Sequence, residues 1–329
     1  MAFLQITLVL LAALNTVAHP APFPNELTPS PTRPRAVTVH PHALAPPNCF
    51  PALGFKMPSA VPTSLTNWWC DPSTEYAWLG FSYEISACQS LSQLTTEFKD
   101  IRNTFKGRYV RLYGFCDTPG PPRRALLKIL HSNSKAKFVT RALQFGSEPL
   151  FDFALEPTTL ASEITKAKAN LSSLGIPVTI SELAYGYQER ASLGSQKVLD
   201  AIQLIDAHIL PFFSQEASIA NKSWPLVQSD LNWFLDNGGG KKIYFSQNGW
   251  PSVTSDGVQP NSPSAVANVQ NEHDYLNVLD SHCSFFKTVP GGGVGWFWHI
   301  YSDKQEPGYG LYGTNGKLKF SPFAPKTSC

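Results

Sequence analysis

The stretch TTLASEITKAKANLSSLGIPVTISEL, from Thr158 to Leu183, carries the reading of the whole chain. Its first part, Thr158 to Leu174, repeats apolar residues at helical spacing. Gly175 stops that helix, and Pro177 opens a short run whose residues are apolar toward both faces. The run ends on Ser181-Glu182. A helix, a tight stop, a strand buried on both sides and a carboxylate at the strand's carboxyl end form one unit of a parallel α/β fold.

The same unit recurs in both directions. Strands are expected at Ala77–Tyr83, Tyr109–Phe115, Lys137–Phe145, Pro177–Leu183, Ala207–Phe213, Lys242–Gln247 and Gly293–Ile300. Helices are expected at Leu91–Phe105, Arg124–Ser132, Thr158–Leu174, Leu193–Ala207, Ser223–Asp236 and Ser264–Phe286. Repetition over about 250 residues points to a (β/α)8 TIM barrel. A doubly wound sheet is the alternative, but no Gly-rich phosphate loop follows an early strand. The barrel is expected to be incomplete. After the second strand, Cys116-Asp117-Thr118-Pro119-Gly120 runs almost directly into the next helix, and a third strand–helix unit is missing. Three accounts are open: closure with seven strands, an irregular segment in the empty slot, or residues lacking from this sequence.

Composition sets the outer limits. The 329 residues are 43% hydrophobic and 15% charged, enough apolar material for a core. With 26 basic against 24 acidic residues and no basic run, no nucleic-acid partner is expected. Residues 1–18 lack charged side chains, are largely apolar from Phe3 to Leu14 and end on Thr16-Val17-Ala18, as a cleavable export signal does. They are too short to span a bilayer comfortably, and no membrane span is expected. Residues 19–66 are rich in proline and read as an extended low-complexity tail, so the folded unit is expected over 67–329. Six cysteines, at 49, 70, 88, 116, 283 and 329, suit disulfides in an exported protein, and their pairing is open among fifteen connectivities. The sequons at Asn170 and Asn221 fit a secreted or cell-wall glycoprotein. No C-x-x-C spacing suggests a metal or redox site, and no cofactor is expected. The chain is read as a monomer.

Chemistry in such a barrel gathers at the carboxyl ends of the strands. Two carboxylates stand there, Glu148 and Glu182. A carboxyl pair is what glycosidic cleavage needs, one group to protonate the leaving oxygen and one to act at the anomeric carbon. Glu148 closes an apolar strand, which would desolvate it as a general acid requires. Glu182 has the same placement. Tyr113, Tyr185, Phe212, Trp250, Trp298 and Asp303 are candidates for gripping a sugar.

Four ordered segments resemble glycoside hydrolase family 17, and within it the secreted fungal members. They are Tyr109-Val110-Arg111-Leu112-Tyr113-Gly114, Phe145-Gly146-Ser147-Glu148, Leu210-Pro211-Phe212-Phe213-Ser214 and Gln247-Asn248-Gly249-Trp250-Pro251-Ser252. The likeness runs from about Asn67 to Cys329. It implies a retaining two-carboxylate hydrolase of cell-wall β-1,3-glucan, with Glu148 as acid/base. Ser147 replaces the family's usual Asn, a contact to the sugar 2-OH. The family's nucleophile position falls on Gln247, an amide that cannot supply the charge an oxocarbenium-like transition state needs. Either Glu182 or Asp303 substitutes for it, or the chain is a β-glucan-binding relative without turnover, or the alignment shifts locally. A structural wall protein, dominated by its Pro-rich tail, is a third kind of reading.

Overall fold

The computed structural model describes residues 7–9, 49–114 and 122–329. A three-residue strand, β1 (Thr7–Val9), is followed by seven that carry the fold: β2 (Ala77–Glu84), β3 (Tyr109–Tyr113), β4 (Leu143–Ser147), β5 (Val178–Glu182), β6 (Ile205–Ile209), β7 (Ile243–Asn248) and β8 (Val294–Trp298). All pairings are parallel, and the order around the barrel is β1-β3-β2-β8-β7-β6-β5-β4. The seven strands curl into an incomplete (β/α)8 barrel with helices outside.

The slot of the missing unit lies between β3 and β4. Thr7 and Leu8 sit opposite Arg111 and Leu112 there, while Leu8 and Val9 sit opposite Leu143 and Gln144. These residues belong to the segment expected as an export signal. Cys116–Gly120, where the shortfall was placed, lies outside the described residues.

The opening stretch folds as its pattern dictates. Helix α3 (Pro157–Leu171) takes Pro157 at its first turn and buries Leu160, Ile164, Ala167 and Leu171 against the barrel. A short 3₁₀ turn, Ser172–Leu174, ends at Gly175 with φ 66°, a left-handed stop that glycine adopts freely. Around it stand α1 (Leu91–Asn103), α2 (Pro122–Ser132), α4 (Ala184–Glu189), α5 (Gln196–Ala201), α6 (Trp224–Asn237), α7 (Val269–Ser281) and α8 (Cys283–Thr288). Ser90 caps α1 by accepting from the Gln93 amide at 3.1 Å.

Several expected boundaries move. Ala136–Phe138 forms a 3₁₀ turn rather than the start of a strand, since the Phe138 ring packs edge-on to Trp68 at 5.2 Å. The sixth strand stops at Ile209 because Pro211 opens a 3₁₀ turn over Pro211–Phe213. Leu193–Ala207 is not one helix, for Gly194 adopts φ 87° ahead of α5. The Pro-rich tail also ends earlier than residue 66. The Cys49–Cys70 disulfide anchors residues 49–66, and Phe50 pairs with Trp68 and Cys70 through backbone bonds of 2.7 and 2.8 Å. Phe50, Trp68 and Phe138 then bury a separate small core there. A second disulfide joins Cys283 to Cys329.

The amino-terminal end of the barrel is closed by a buried charge. Glu75 accepts from the hydroxyls of Tyr109 and Tyr244 and from Arg141 Nε at 3.2 Å. Lys242 Nζ donates to the Gly292 and Gly293 carbonyls at 2.6 and 2.9 Å. This end is thereby stitched shut, and the opposite mouth is left for chemistry.

Candidate active site at the carboxyl mouth of the barrel

Arg111 stands mid-strand in β3, wholly buried, with its guanidinium across the barrel axis. It donates to Gln144 Oε1 at 3.0 Å, Ser181 Oγ at 3.1 Å and, more weakly, Ser82 Oγ at 3.4 Å. Its fourth contact is His208 Nε2, also at 3.4 Å. A guanidinium only donates, so His208 Nε2 accepts and the ring proton sits on Nδ1. That Nδ1 lies 2.5 Å from Glu148 Oε1 and donates to it. Burial, with Arg111 and His299 nearby, pushes His208 down to about 4 despite the pull of Glu148, so the ring is neutral at physiological pH.

Glu148 follows β4 directly. Its backbone has φ 51°, a left-handed geometry unusual for a residue with a side chain. Its amide donates to the Ser181 carbonyl at 2.8 Å. This turn aims the side chain inward, where it keeps 22% of its exposure. Oε1 rests on His208, and among the described residues Oε2 has no hydrogen-bond partner.

Glu182, at the end of β5, is placed differently. It is only 1% exposed and accepts three backbone amides: Leu150 at 2.7 Å, Leu183 at 2.9 Å and Phe151 at 3.3 Å. Burial and the neighbouring Glu148 charge push its carboxyl well above the usual range, against the pull of those amides. It pins the turn that follows Glu148 and does not face the mouth.

Gln247 lies in β7 opposite His208 of β6, at a point where the register skips Ser246. It is half-buried between the fully buried Ser246 and Asn248. Asn248 Oδ1 accepts from the Tyr275 hydroxyl of α7 at 2.6 Å, so that residue points away from the axis. Glu148 and Gln247 therefore both adjoin His208.

The aromatic candidates divide. Tyr113, half-exposed at the end of β3, lies over the Arg111 guanidinium at 5.2 Å. Tyr185 is half-exposed beside Phe151, with ring centroids 6.1 Å apart. Phe212, Trp250 and Trp298 are corrections: each is 0% exposed and offers no face to a saccharide. Trp250 donates to the Val266 carbonyl at 3.0 Å and packs on Phe212 at 5.3 Å. Trp298 turns outward onto Phe323 at 5.8 Å. Asp303 is also spoken for, accepting from the Gly308 and Gly310 amides at 3.0 and 2.8 Å and from Lys319 Nζ at 3.1 Å. It shapes the loop after β8 and does not substitute for Gln247.

That loop brings in a residue the sequence reading missed. Glu306 lies eight positions beyond β8, yet Oε2 accepts from the Tyr113 hydroxyl at 3.0 Å and lies 3.0 Å from His299 Nε2. Its side chain is 34% exposed. Burial works against its charge, but His299, Tyr113 and Arg111 outweigh it and hold the carboxyl below the usual range. Nothing in the local pattern Gln305-Glu306-Pro307 marks it, because the loop's return to the mouth is a tertiary fact. Among the described residues, no group of three or more His, Cys, Asp or Glu is placed to hold a metal ion.

No family model and no curated protein matches this chain. Solved structures do. One is the glycoside hydrolase family 17 β-1,3-glucanosyltransferase from Rhizomucor miehei, at 19% identity and a TM-score of 0.56, covering 78% of this chain and 99% of that one. The fold is that of glycoside hydrolase family 17. An active-site mutant of the Rhizomucor miehei β-1,3-glucanosyltransferase in complex with laminaritriose matches similarly. It has 18% identity and a TM-score of 0.57, over 77% of this chain and 98% of that one. The family 17 fold therefore extends over almost the whole of both solved chains. Within this fold, Glu148 follows β4 at the carboxyl end of the barrel strands.

Proposed function

We propose that this protein is an exported glycoside hydrolase acting on β-1,3-glucan, with Glu148 delivering a proton to the leaving glycosidic oxygen. The observation that carries the reading is the Glu148 carboxyl, turned into the mouth of a family 17 barrel and held through one oxygen by a neutral His208. The other oxygen is free to carry the proton. Tyr113 and Tyr185, both half-buried, are the aromatic candidates for contact with a sugar ring. Two disulfides among the described residues, exposed sequon residues Asn170 and Asn221, and an apolar first eighteen residues favour export to the cell surface or wall. Among the described residues no helix is long and apolar enough to cross a membrane.

Retention by the family's route needs a carboxylate where Gln247 stands. That departure favours a second reading, a β-glucan-binding protein without turnover. Laminarin incubated with the purified chain separates the two. Release of reducing ends, reduced about 100-fold or more in Glu148→Gln, supports the hydrolase. Binding without release, with cleavage appearing only in Gln247→Glu, supports the binder. Neither binding nor release removes both.

A further inference from the structure

Glu148 stands at the head of a turn that carries a second backbone outlier. The turn is closed by bonds from the Asp152 amide to the Glu148 carbonyl at 2.8 Å, from Phe153 to Leu150 at 3.2 Å and from Ala154 to Pro149 at 3.0 Å. Glu148 opens it at φ 51° and Phe153 follows at φ 53°. A phenylalanine in the left-handed region is strained, and this one is also 57% exposed, so burial does not offset the strain. The ring is nonetheless fixed. The Arg190 guanidinium stands over it, 4.4 Å from its centroid. Arg190 is itself only 4% exposed and donates to Glu156 Oε1 at 3.2 Å. Helix α4, which ends just before Arg190, presses on the same turn: a Cβ at Gly186 would lie 3.1 Å from the Phe151 nitrogen. Between acid and ring, Phe151 packs edge-on to Tyr185 at 6.1 Å. Leu155 and Leu193, close in sequence to Phe153 and Arg190, are exposed as well. Five residues wound this tightly advance only about 8 Å, so the ring stands beside the acid and on the rim of the mouth.

We propose that Phe153 is the stacking platform of an outer sugar subsite, holding a β-1,3-glucan chain where it crosses the rim over the ends of β4 and β5. The proposal rests on the glucan reading and names a residue that sets chain-length preference within it. A chain longer than the mouth must cross its rim, and the rim next to Glu148 is this turn with α4. A pyranose presents a face of C–H groups, which fits a flat aromatic face. Arg190 covers one face of the Phe153 ring, so the other is the one offered. A ring ordered before the ligand arrives loses little rotamer freedom on contact, which is what the strained backbone and the guanidinium together provide. The patch also has the scale of a sugar. Phe153, Leu155 and Leu193 together fall far short of the roughly 800 Å² that a stable protein partner covers. The site should therefore favour long glucans over short ones.

Isothermal titration with laminaritriose and laminarihexaose tests this, in a Glu148→Gln background so that no ligand is cut during the measurement. The hexaose should bind about tenfold or more tighter than the triose, and Phe153→Ala should bring the two within about threefold. Phe153→Trp keeps a ring in place, and its added fluorescence should move to shorter wavelength as laminarihexaose binds. Three results would overturn the proposal: a Kd ratio that Phe153→Ala leaves unchanged, a hexaose that binds no tighter than the triose, or no emission change in Phe153→Trp at saturating hexaose. A chain that elutes as a dimer, and as a monomer only in Phe153→Ala with the Kd ratio unaltered, would assign the patch to a second copy instead. If both oligomers bind and Phe153 is dispensable, only this inference fails. If neither oligomer binds, the glucan reading fails with it.

Discussion

A single arginine organises the mouth. Arg111 meets Gln144, Ser181 and His208 as a donor at once through its planar fork, and in doing so it fixes which nitrogen of His208 faces Glu148. The neutral ring has a cost that depends on pH. His208 is held at about 4 in the fold against an ordinary 6.5, so between those values the unfolded chain binds the extra proton. Stability is lost as pH falls from 6.5 toward 4, by roughly 3 kcal/mol for a shift of that size. Denaturant unfolding at pH 7 and pH 4.5 should show this loss in the natural chain and a smaller one in His208→Gln. An equal loss in both would mean that His208 is not the group responsible. The aromatic residues separate in the same way. Tyr113→Ala should weaken laminaritriose binding with little effect on stability, and Trp250→Phe should do the reverse, because Trp250 is wholly buried and Tyr113 is not. Isothermal titration beside thermal unfolding distinguishes them.

Elements were legible where periodicity decides them and obscure where a single proline or a tertiary contact does. Helix α3 and strand β5 follow from apolar spacing, Gly175 and Pro177. The inward faces of the strands were harder, because strands covered on both sides are apolar on both. Trp298 and Phe212 look like a sugar platform in sequence and turn out to be wedged behind the barrel. The usable signal was polar, not aromatic. An arginine inside Tyr109–Tyr113 and the alternation of Asp206 and His208 in β6 mark the inward face, since a buried charge needs partners. Glu148 is found from its place at a strand end, but its 2.5 Å contact with His208 joins residues sixty positions apart and is invisible locally. The turn between β4 and β5 depends on Glu182. Removing its side chain leaves the buried Leu150 amide and the half-buried Phe151 and Leu183 amides without this acceptor, so Glu182→Ala should lower unfolding free energy by about 1–3 kcal/mol and impair any turnover through Glu148. Unchanged stability in denaturant titration would count against that role.

The whole molecule is a barrel one strand–helix unit short. The shortfall was readable as a count, because nothing between Gly114 and Pro122 can supply a strand and a helix. What fills the slot was not readable, since it comes from the other end of the chain. Thr7–Val9 pair with both edges, yet they lie in the segment we propose is removed on export. A chain beginning at His19 would expose the facing edges of β3 and β4. In hydrogen exchange, the β3 and β4 amides directed at the slot should then exchange at least about tenfold faster than those between β5 and β6. Equal protection would mean that other residues close the gap.

All of this converges on one place, the mouth above Arg111 where Glu148 and Gln247 both adjoin His208. A crystal structure of the chain soaked with laminaritriose tests it most directly. The account predicts a glucosyl ring in that mouth, with its glycosidic oxygen within hydrogen-bonding reach of Glu148 and its anomeric carbon toward Gln247. A trisaccharide bound elsewhere on the molecule, or a mouth that stays free of sugar at saturating ligand, would contradict it.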